Sequence, residues 1–175
     1  MFEKKELRKK AKAIRSSLDI KSISDKIVKN ILELSAYKNA KHVMIFYPLG
    51  HEVNLLGLLK SEAKQFYLPK VEGEKLLVCP YKSGDELTIS AFKTEEPVSE
   101  AVNPEILDLI FVPALMVDKH LHRLGYGGGF YDKFLCKNAL KSTKIVAIPS
   151  ELVIDELPSE SFDAKIDIVI TELTR

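Results

Sequence analysis

Apolar and polar residues follow two rhythms along this chain, and the change from one to the other falls near His42. Over residues 3–17, Leu7, Ala11, Ile14 and Leu18 recur at three- and four-residue spacing, which predicts a helix with one apolar stripe and a basic back. Ile23, Ile27, Ile31 and Leu34 repeat the pattern and predict a second helix running to about Tyr37, capped near Ser22 or Ser24. From His42 onward come short apolar runs at 42–49, 65–71, 75–81, 87–92, 107–117, 144–150 and 167–172, which read as strands. Several are continuous rather than alternating, as in strands covered on both faces. Residues 54–64 and 130–140 supply intervening helices. The expectation is an α/β fold: an open, mostly parallel sheet flanked by helices on both faces, with two N-terminal helices and an antiparallel or mixed portion over 65–92.

Composition narrows the class. At 175 residues, one domain spanning 1–175 is expected, and 46% hydrophobic with 29% charged residues excludes a disordered or collagen-like chain. No apolar run approaches the roughly 18 residues needed to cross a bilayer, and Met1–Arg15 lacks a signal-peptide apolar block, so a cytoplasmic protein is expected. Cys79 and Cys136 have no zinc or disulfide spacing and read as buried, inert thiols. His42, His51, His120 and His122 read as solvated. Net charge is +1, yet residues 1–30 hold ten Lys and Arg against four Asp and Glu, so positive charge is concentrated in the first helices.

The densest chemistry lies in RLGYGGGFYD, Arg123 to Asp132: of eight glycines, Gly125, Gly127, Gly128 and Gly129 fall here. The segment follows a strongly apolar run and precedes a helical pattern, so it sits at the carboxyl end of a strand, where open α/β sheets bind ligands. Glycines let backbone N–H groups approach an anion closely, and the helix that follows adds its positive dipole end. A tight packing turn explains one glycine; three in succession favour a phosphate site. The spacing fits neither the P-loop nor the dinucleotide fingerprint. Arg123 suits phosphate oxygens and Asp132 a magnesium ion, although an arginine or a first-turn acid is as often structural.

RLGYGGGFYDKFL, preceded by DLIFVPALMVD, resembles the signature of the 5-formyltetrahydrofolate cyclo-ligase family, and the resemblance extends in order through KKELRKKAKAIR, IFYPLGHEVN (45–54), YLPKV (67–71) and DELPSESFDAKIDIVITE (155–172). It implies a fold similar to sugar-phosphate isomerases and coenzyme A transferases. It also implies ATP- and Mg2+-dependent closure of 5-formyltetrahydrofolate to 5,10-methenyltetrahydrofolate, with ADP and phosphate released. By the same resemblance, Lys4, Arg8 and the run Arg123, Leu124, Gly125, Tyr126, Gly127, Gly128, Gly129, Phe130 and Tyr131 bind ATP. Tyr47, Glu52 and Gly128 to Tyr131 border the folate, and Asp132 and Asp163 attend the metal, with Asp167 a rival to Asp163. Phe92, Tyr126 and Phe130 are candidates to stack on a ring, although aromatics on apolar runs are more often core. The implied partners are 5-formyltetrahydrofolate and ATP, with no nucleic acid, no membrane and a monomeric chain.

Three positions depart from the family pattern: Leu121 and Lys93 stand where glycine is usual, and Phe162 replaces a frequent histidine. Leu121 puts the turn at 119–122 in question, and Phe162 removes a polar neighbour of the metal acid. Two other readings compete with the cyclo-ligase. One is a non-catalytic nucleotide- or folate-binding module on the same fold. The other is a phosphate-binding α/β protein acting on sugar phosphates or coenzyme A esters.

Overall fold

The computed structural model describes residues 2–137 and 141–175. The chain opens with α1 (Phe2–Ser16) and α2 (Ile20–Glu33). The start of α2 is capped by Asp19, whose side chain accepts from the Ser22 N–H at 3.2 Å, in place of the expected Ser22 or Ser24. The stripe predicted to continue to Tyr37 breaks at Leu34, which is extended, and resumes as the short α3 (Ser35–Asn39).

The main sheet comprises β1 (His42–Met44), β2 (Gln65–Glu72) and β3 (Lys75–Tyr81), with further strands contributed later. Next come β4 (Leu87–Ile89) and β5 (Glu95–Pro97), a separate antiparallel pair. The remaining elements are β6 (Leu109–Phe111), β7 (Met116–Asp118), β8 (Arg123–Leu124), α4 (Phe130–Lys137), β9 (Thr143–Ala147), β10 (Val153–Ile154) and β11 (Ile168–Ile170). Strand order in the main sheet is β11-β9-β6-β1-β2-β3. Every neighbour pair is parallel except the β2–β3 edge hairpin, which lies where a mixed portion was expected.

The continuous apolar runs are explained by burial on both faces. Val43, Ile45, Leu109, Phe111, Ile145 and Ala147 pack with Ile27 and Ile31 of α2 and Tyr37 of α3. Their alternates Met44, Ile110, Val112, Val146 and Ile148 pack with Ala11 of α1 and Phe134 and Leu135 of α4. Each fully buried aliphatic or Phe side chain contributes about 1.5–3 kcal/mol by leaving water.

Several expected elements are corrected. Residues 54–64 form only a 3-10 turn at Leu56–Lys60, because Leu55 and Leu58 bury at three-residue spacing around Gly57 and Asn54 bends the entry by accepting from Leu56 N–H. The run 107–117 is two strands, since Pro113 has no N–H to continue the ladder and β7 joins a second sheet, antiparallel to β8 and parallel to β10. The glycine loop therefore follows the short β8 rather than the main-sheet strand itself. The end of the predicted helix 130–140 lies outside the described residues.

Side-chain expectations also shift. Cys79 is buried but Cys136 is exposed. His51 and His120 are solvated, whereas His42 Nδ1 lies 2.8 Å from Tyr67 Oη and His122 Nδ1 lies 3.1 Å from the buried Asp118 carboxylate. That carboxylate also accepts the backbone N–H groups of His120, His122 and Leu157. It thus closes the β7–β8 turn and draws in the segment after β10. Among the described residues, Leu121 (φ 68°) and Lys93 (φ 60°) are the only non-glycines in the left-handed region, and they are the two positions where the resemblance leads one to expect glycine.

Candidate active site

The fold encloses a cavity of about 1110 Å³, and every site residue named from the sequence lines it except Asp167, the rival to Asp163. Lys4 and Arg8 enter from α1, Tyr47 and Glu52 from the segment after β1, Arg123 to Asp132 from β8 and the start of α4, and Asp163 from the C-terminal segment. Asp167 lies elsewhere: its carboxylate accepts the Lys144 N–H at 2.8 Å and anchors the start of β9 to the residue before β11. Spacing along the sequence had left the two acids unseparated.

One end of the cavity is cationic. Arg8 Nε donates to Gly125 O at 2.9 Å, fixing α1 over the glycine loop. Gly127 has φ 107°, a conformation costly for any residue with a Cβ, and a side chain there would lie 3.6 Å from the Arg8 guanidinium carbon. At Gly125 a Cβ would stand 2.8 Å from Arg123 Nη1, so glycine lets that side chain pass beneath the loop.

Four charges pair within this end. The Arg123 side chain is only 4% exposed, and its Nη2 donates to Asp132 Oδ1 at 3.2 Å while Nη1 donates to Pro113 O at 3.3 Å. Burial works against the guanidinium charge, and the neighbouring Asp132 carboxylate works for it, with the net effect a lowered pKa. Lys4 Nζ donates to Asp163 Oδ2 at 3.0 Å and approaches Glu160 Oε1 at 3.5 Å. The acids are themselves held by backbone: Asp132 Oδ1 accepts from Ala164 N–H at 3.2 Å, and Asp163 Oδ2 from Glu160 N–H at 2.9 Å.

Among the described residues no three His, Cys, Asp or Glu side chains converge as a metal cage. Asp132 and Asp163 offer two hard carboxylates on one wall, bridged by the Asp132–Ala164 contact. That donor set fits Mg2+, which binds through one or two carboxylates completed by water and phosphate oxygens.

The rest of the cavity is more apolar, and two buried carboxylates line it, Glu52 and Glu96, the second accepting from Val71 N–H at 2.7 Å. Glu52 is 7% exposed, and its Oε1 accepts from Leu49 N–H at 2.9 Å while Glu52 N–H donates back to Leu49 O. Burial raises the Glu52 pKa, opposed by the Leu49 N–H, the Tyr126 hydroxyl and the positive charge of Arg15. Phe92 and Phe130 meet edge to face, 5.7 Å between centroids, on the same wall. Beneath them the Tyr131 hydroxyl is buried without a partner, and its pKa is raised chiefly by that burial.

Three contributors were not found from the sequence. Arg15, 5% exposed, donates to the carbonyls of Ala114 and His51, so it ties α1 to the segment that carries Glu52. Its seven-residue spacing from Arg8 was the available signal, obscured by the expectation of a uniformly solvated basic back. Glu160, the second acid beside Lys4, lies in a segment with no periodicity, and Glu95, at the start of the three-residue β5, hydrogen-bonds Tyr47, whose pKa is raised by burial and then by the Glu95 charge.

The family model of the 5-formyltetrahydrofolate cyclo-ligases matches residues 1–172. A 5-formyltetrahydrofolate cyclo-ligase of Haemophilus influenzae is 27% identical, with 93% of this chain and 92% of that protein covered. A probable 5-formyltetrahydrofolate cyclo-ligase of Schizosaccharomyces pombe is 28% identical over 88% of this chain and 85% of that one. The NMR structure of a 5,10-methenyltetrahydrofolate synthetase from Aquifex aeolicus superposes with a TM-score of 0.85 at 36% identity, covering 98% of this chain and 90% of that chain. With the match running almost end to end and the same fold in a relative of that identity, the chain belongs to the 5-formyltetrahydrofolate cyclo-ligase family and is, by that membership, a ligase.

Proposed function

We propose that this chain uses ATP to convert 5-formyltetrahydrofolate to 5,10-methenyltetrahydrofolate, releasing ADP and phosphate. The observation that carries the reading is the joining of two chemically different parts in one cavity: a cationic end walled by glycines and a more apolar remainder in which Glu52 is buried. A triphosphate and a pterin are thereby held side by side, which turns their reaction into an intramolecular one.

The formyl oxygen of the substrate attacks the γ-phosphorus, forming a P–O bond as the bond to ADP breaks. N10 then attacks the activated formyl carbon, the C–O bond breaks with phosphate departing, N10 gives up its proton, and the bridged cation remains. Arg123, Lys4 and Arg8 stabilise charge on the transferring phosphoryl group, and the loop amides of 125–129 cradle the phosphates. Glu52 accepts hydrogen bonds from the amino and N–H donors of the pterin edge, and Tyr47, Phe92 and Phe130 enclose its faces. Asp132 and Asp163 would hold Mg2+, which neutralises phosphate charge when bound. We place the protein in the cytoplasm as a monomer acting on small molecules rather than on nucleic acid or membrane; no helix among the described residues is long and apolar enough to cross a bilayer.

The test is the methenyl absorbance band recorded while the purified protein is mixed with 5-formyltetrahydrofolate and Mg-ATP, with ADP release followed in parallel. An ATP-dependent rise matched by ADP is the expected result. Tight ATP binding without product would instead establish the non-catalytic binding module.

A further inference from the structure

The cationic end of the cavity is not held open for phosphate. Arg123 and Lys4 already have carboxylate partners, and these include the two acids assigned to the metal: Arg123 with Asp132 at 3.2 Å, and Lys4 with Asp163 at 3.0 Å. None of the four is freely solvated, with side-chain exposures of 4%, 26%, 15% and 12% in that order. Breaking such a pair leaves a poorly hydrated charge behind, which costs far more than breaking a pair in open water.

Consider metal-free ATP arriving here. If its phosphates draw Lys4 and Arg123 away, Asp132 and Asp163 are left unpaired and facing four further negative charges. Mg2+ arriving alone meets the mirror problem, since the acids it takes leave Arg123 with the neutral Pro113 carbonyl and Lys4 with only the half-exposed Glu160, 3.5 Å away. Only when metal and triphosphate arrive together does every group regain an opposite charge.

We propose that the Lys4–Asp163 and Arg123–Asp132 pairs form an exchange lock, in which metal and phosphate trade places with the resident partners, so that Asp132 and Asp163 discriminate against metal-free nucleotide. This rests on the reading of the cavity as a nucleotide site. It assigns the acids a second role that does not depend on the metal being bound: each lowers affinity for uncomplexed ATP by occupying a phosphate-binding cation. The glycine loop and Arg8, whose Nε is bonded to the neutral Gly125 carbonyl, lie outside the exchange and supply the part of the affinity that needs no metal.

Calorimetric titration with ATP in EDTA and with Mg-ATP tests this directly, on wild-type protein and on Asp132→Asn and Asp163→Asn. An asparagine oxygen can still accept from Ala164 or Glu160 N–H, so these variants remove charge while keeping the backbone contacts. Each is expected to bind metal-free ATP about fivefold or more tighter than wild type, while the advantage conferred by Mg2+ shrinks. The gain in Asp163→Asn should vanish when Lys4→Met is added, as a double-mutant cycle requires of a direct pair.

Should the asparagine variants fold poorly, the reciprocal measurement stands alone. Mn2+ bound without nucleotide, followed by electron paramagnetic resonance, is expected to be weak in wild type and tighter in Lys4→Met, where Asp163 loses its nearest cation. Unchanged metal-free ATP affinity in the folded asparagine variants, or unchanged Mn2+ affinity in Lys4→Met, overturns the lock while leaving Mg-ATP binding by wild type intact. Failure of wild type to bind Mg-ATP at all would instead remove the nucleotide reading, and the lock with it.

Discussion

Lys93 and Leu121 are each held in a backbone conformation that an L-residue pays about 1–2 kcal/mol to adopt. Their surroundings give opposite expectations for replacement by glycine. Lys93 is exposed in the tight β4–β5 loop, where its N–H donates to Ser90 O, so Lys93→Gly loses no packing. Relief of strain exceeds the added freedom of the unfolded glycine, and a stabilisation of up to about 1 kcal/mol is expected in urea unfolding. Leu121 is half-buried against the core, so Leu121→Gly forfeits apolar burial of about 1–3 kcal/mol and is expected to be neutral or destabilising. The resemblance flagged both positions as unusual, and Leu121 alone as a threat to turn geometry; only the backbone angles and burial separate them. Glu52 carries a prediction of a different kind. Because burial raises its pKa, the folded protein holds the Glu52 proton at a pH where the unfolded chain has released it. Stability contributed through this group therefore falls as pH rises from the unfolded value through the raised one. Binding runs the other way, since the pterin edge needs the ionised form. The folate KM is expected to climb as pH falls, beginning above the ordinary carboxylate range, and Glu52→Gln should raise that KM and flatten its pH dependence while the ATP KM moves little.

Among elements, α1 is the one whose function was least legible in its pattern. The stripe Leu7, Ala11 and Ile14 correctly gave its buried side, yet three cations on that same helix, Lys4, Arg8 and Arg15, also turn inward. A hydrophobic rhythm cannot show this, because a buried cation is made tolerable only by carbonyls and carboxylates brought from distant segments. The parallel strands were legible for the complementary reason that two-sided burial demands unbroken apolar runs. Where one run served two sheets, at 107–117, and where leucines at three-residue spacing stopped at a 3-10 turn, local pattern had no means of separating the outcomes. Arg15 offers the test of how α1 acts. Arg15→Ala withdraws charged donors from the carbonyls of Ala114 and His51, each worth about 1.5–3 kcal/mol at full strength. Water entering the site restores part of this, so a loss of about 2–3 kcal/mol is expected, equivalent to a fall in Tm of roughly 5–10 °C. Folate KM should rise with it, because the same contacts place the segment that ends in Glu52.

At the scale of the whole molecule, the cavity is where the two ends of the chain meet. Lys4 near the start reaches Asp163 near the end, Asp132 at the start of α4 accepts from Ala164, and Asp118 in the second sheet holds Leu157. The sheet beneath does not need these contacts, since its two apolar layers close without them. The C-terminal segment from Leu157 to Asp163 has little regular structure and depends on them heavily, with Leu157 its only side chain buried in the core. A ligand that fills the cavity therefore stabilises the part of the molecule least secured by hydrophobic burial. Saturation with Mg-ATP at about a hundred times its Kd adds about 2.7 kcal/mol to the folded state. For a chain of this length that corresponds to a rise in Tm of roughly 5–10 °C. Hydrogen exchange locates the gain: added protection is expected in 157–164 and at the N-terminal turn of α1, with little change in β1, β6 and β9, which open only on global unfolding. Protection spread evenly over the sheet, with none at the junction of the two ends, would mean that the ligand stabilises the fold without tightening that junction.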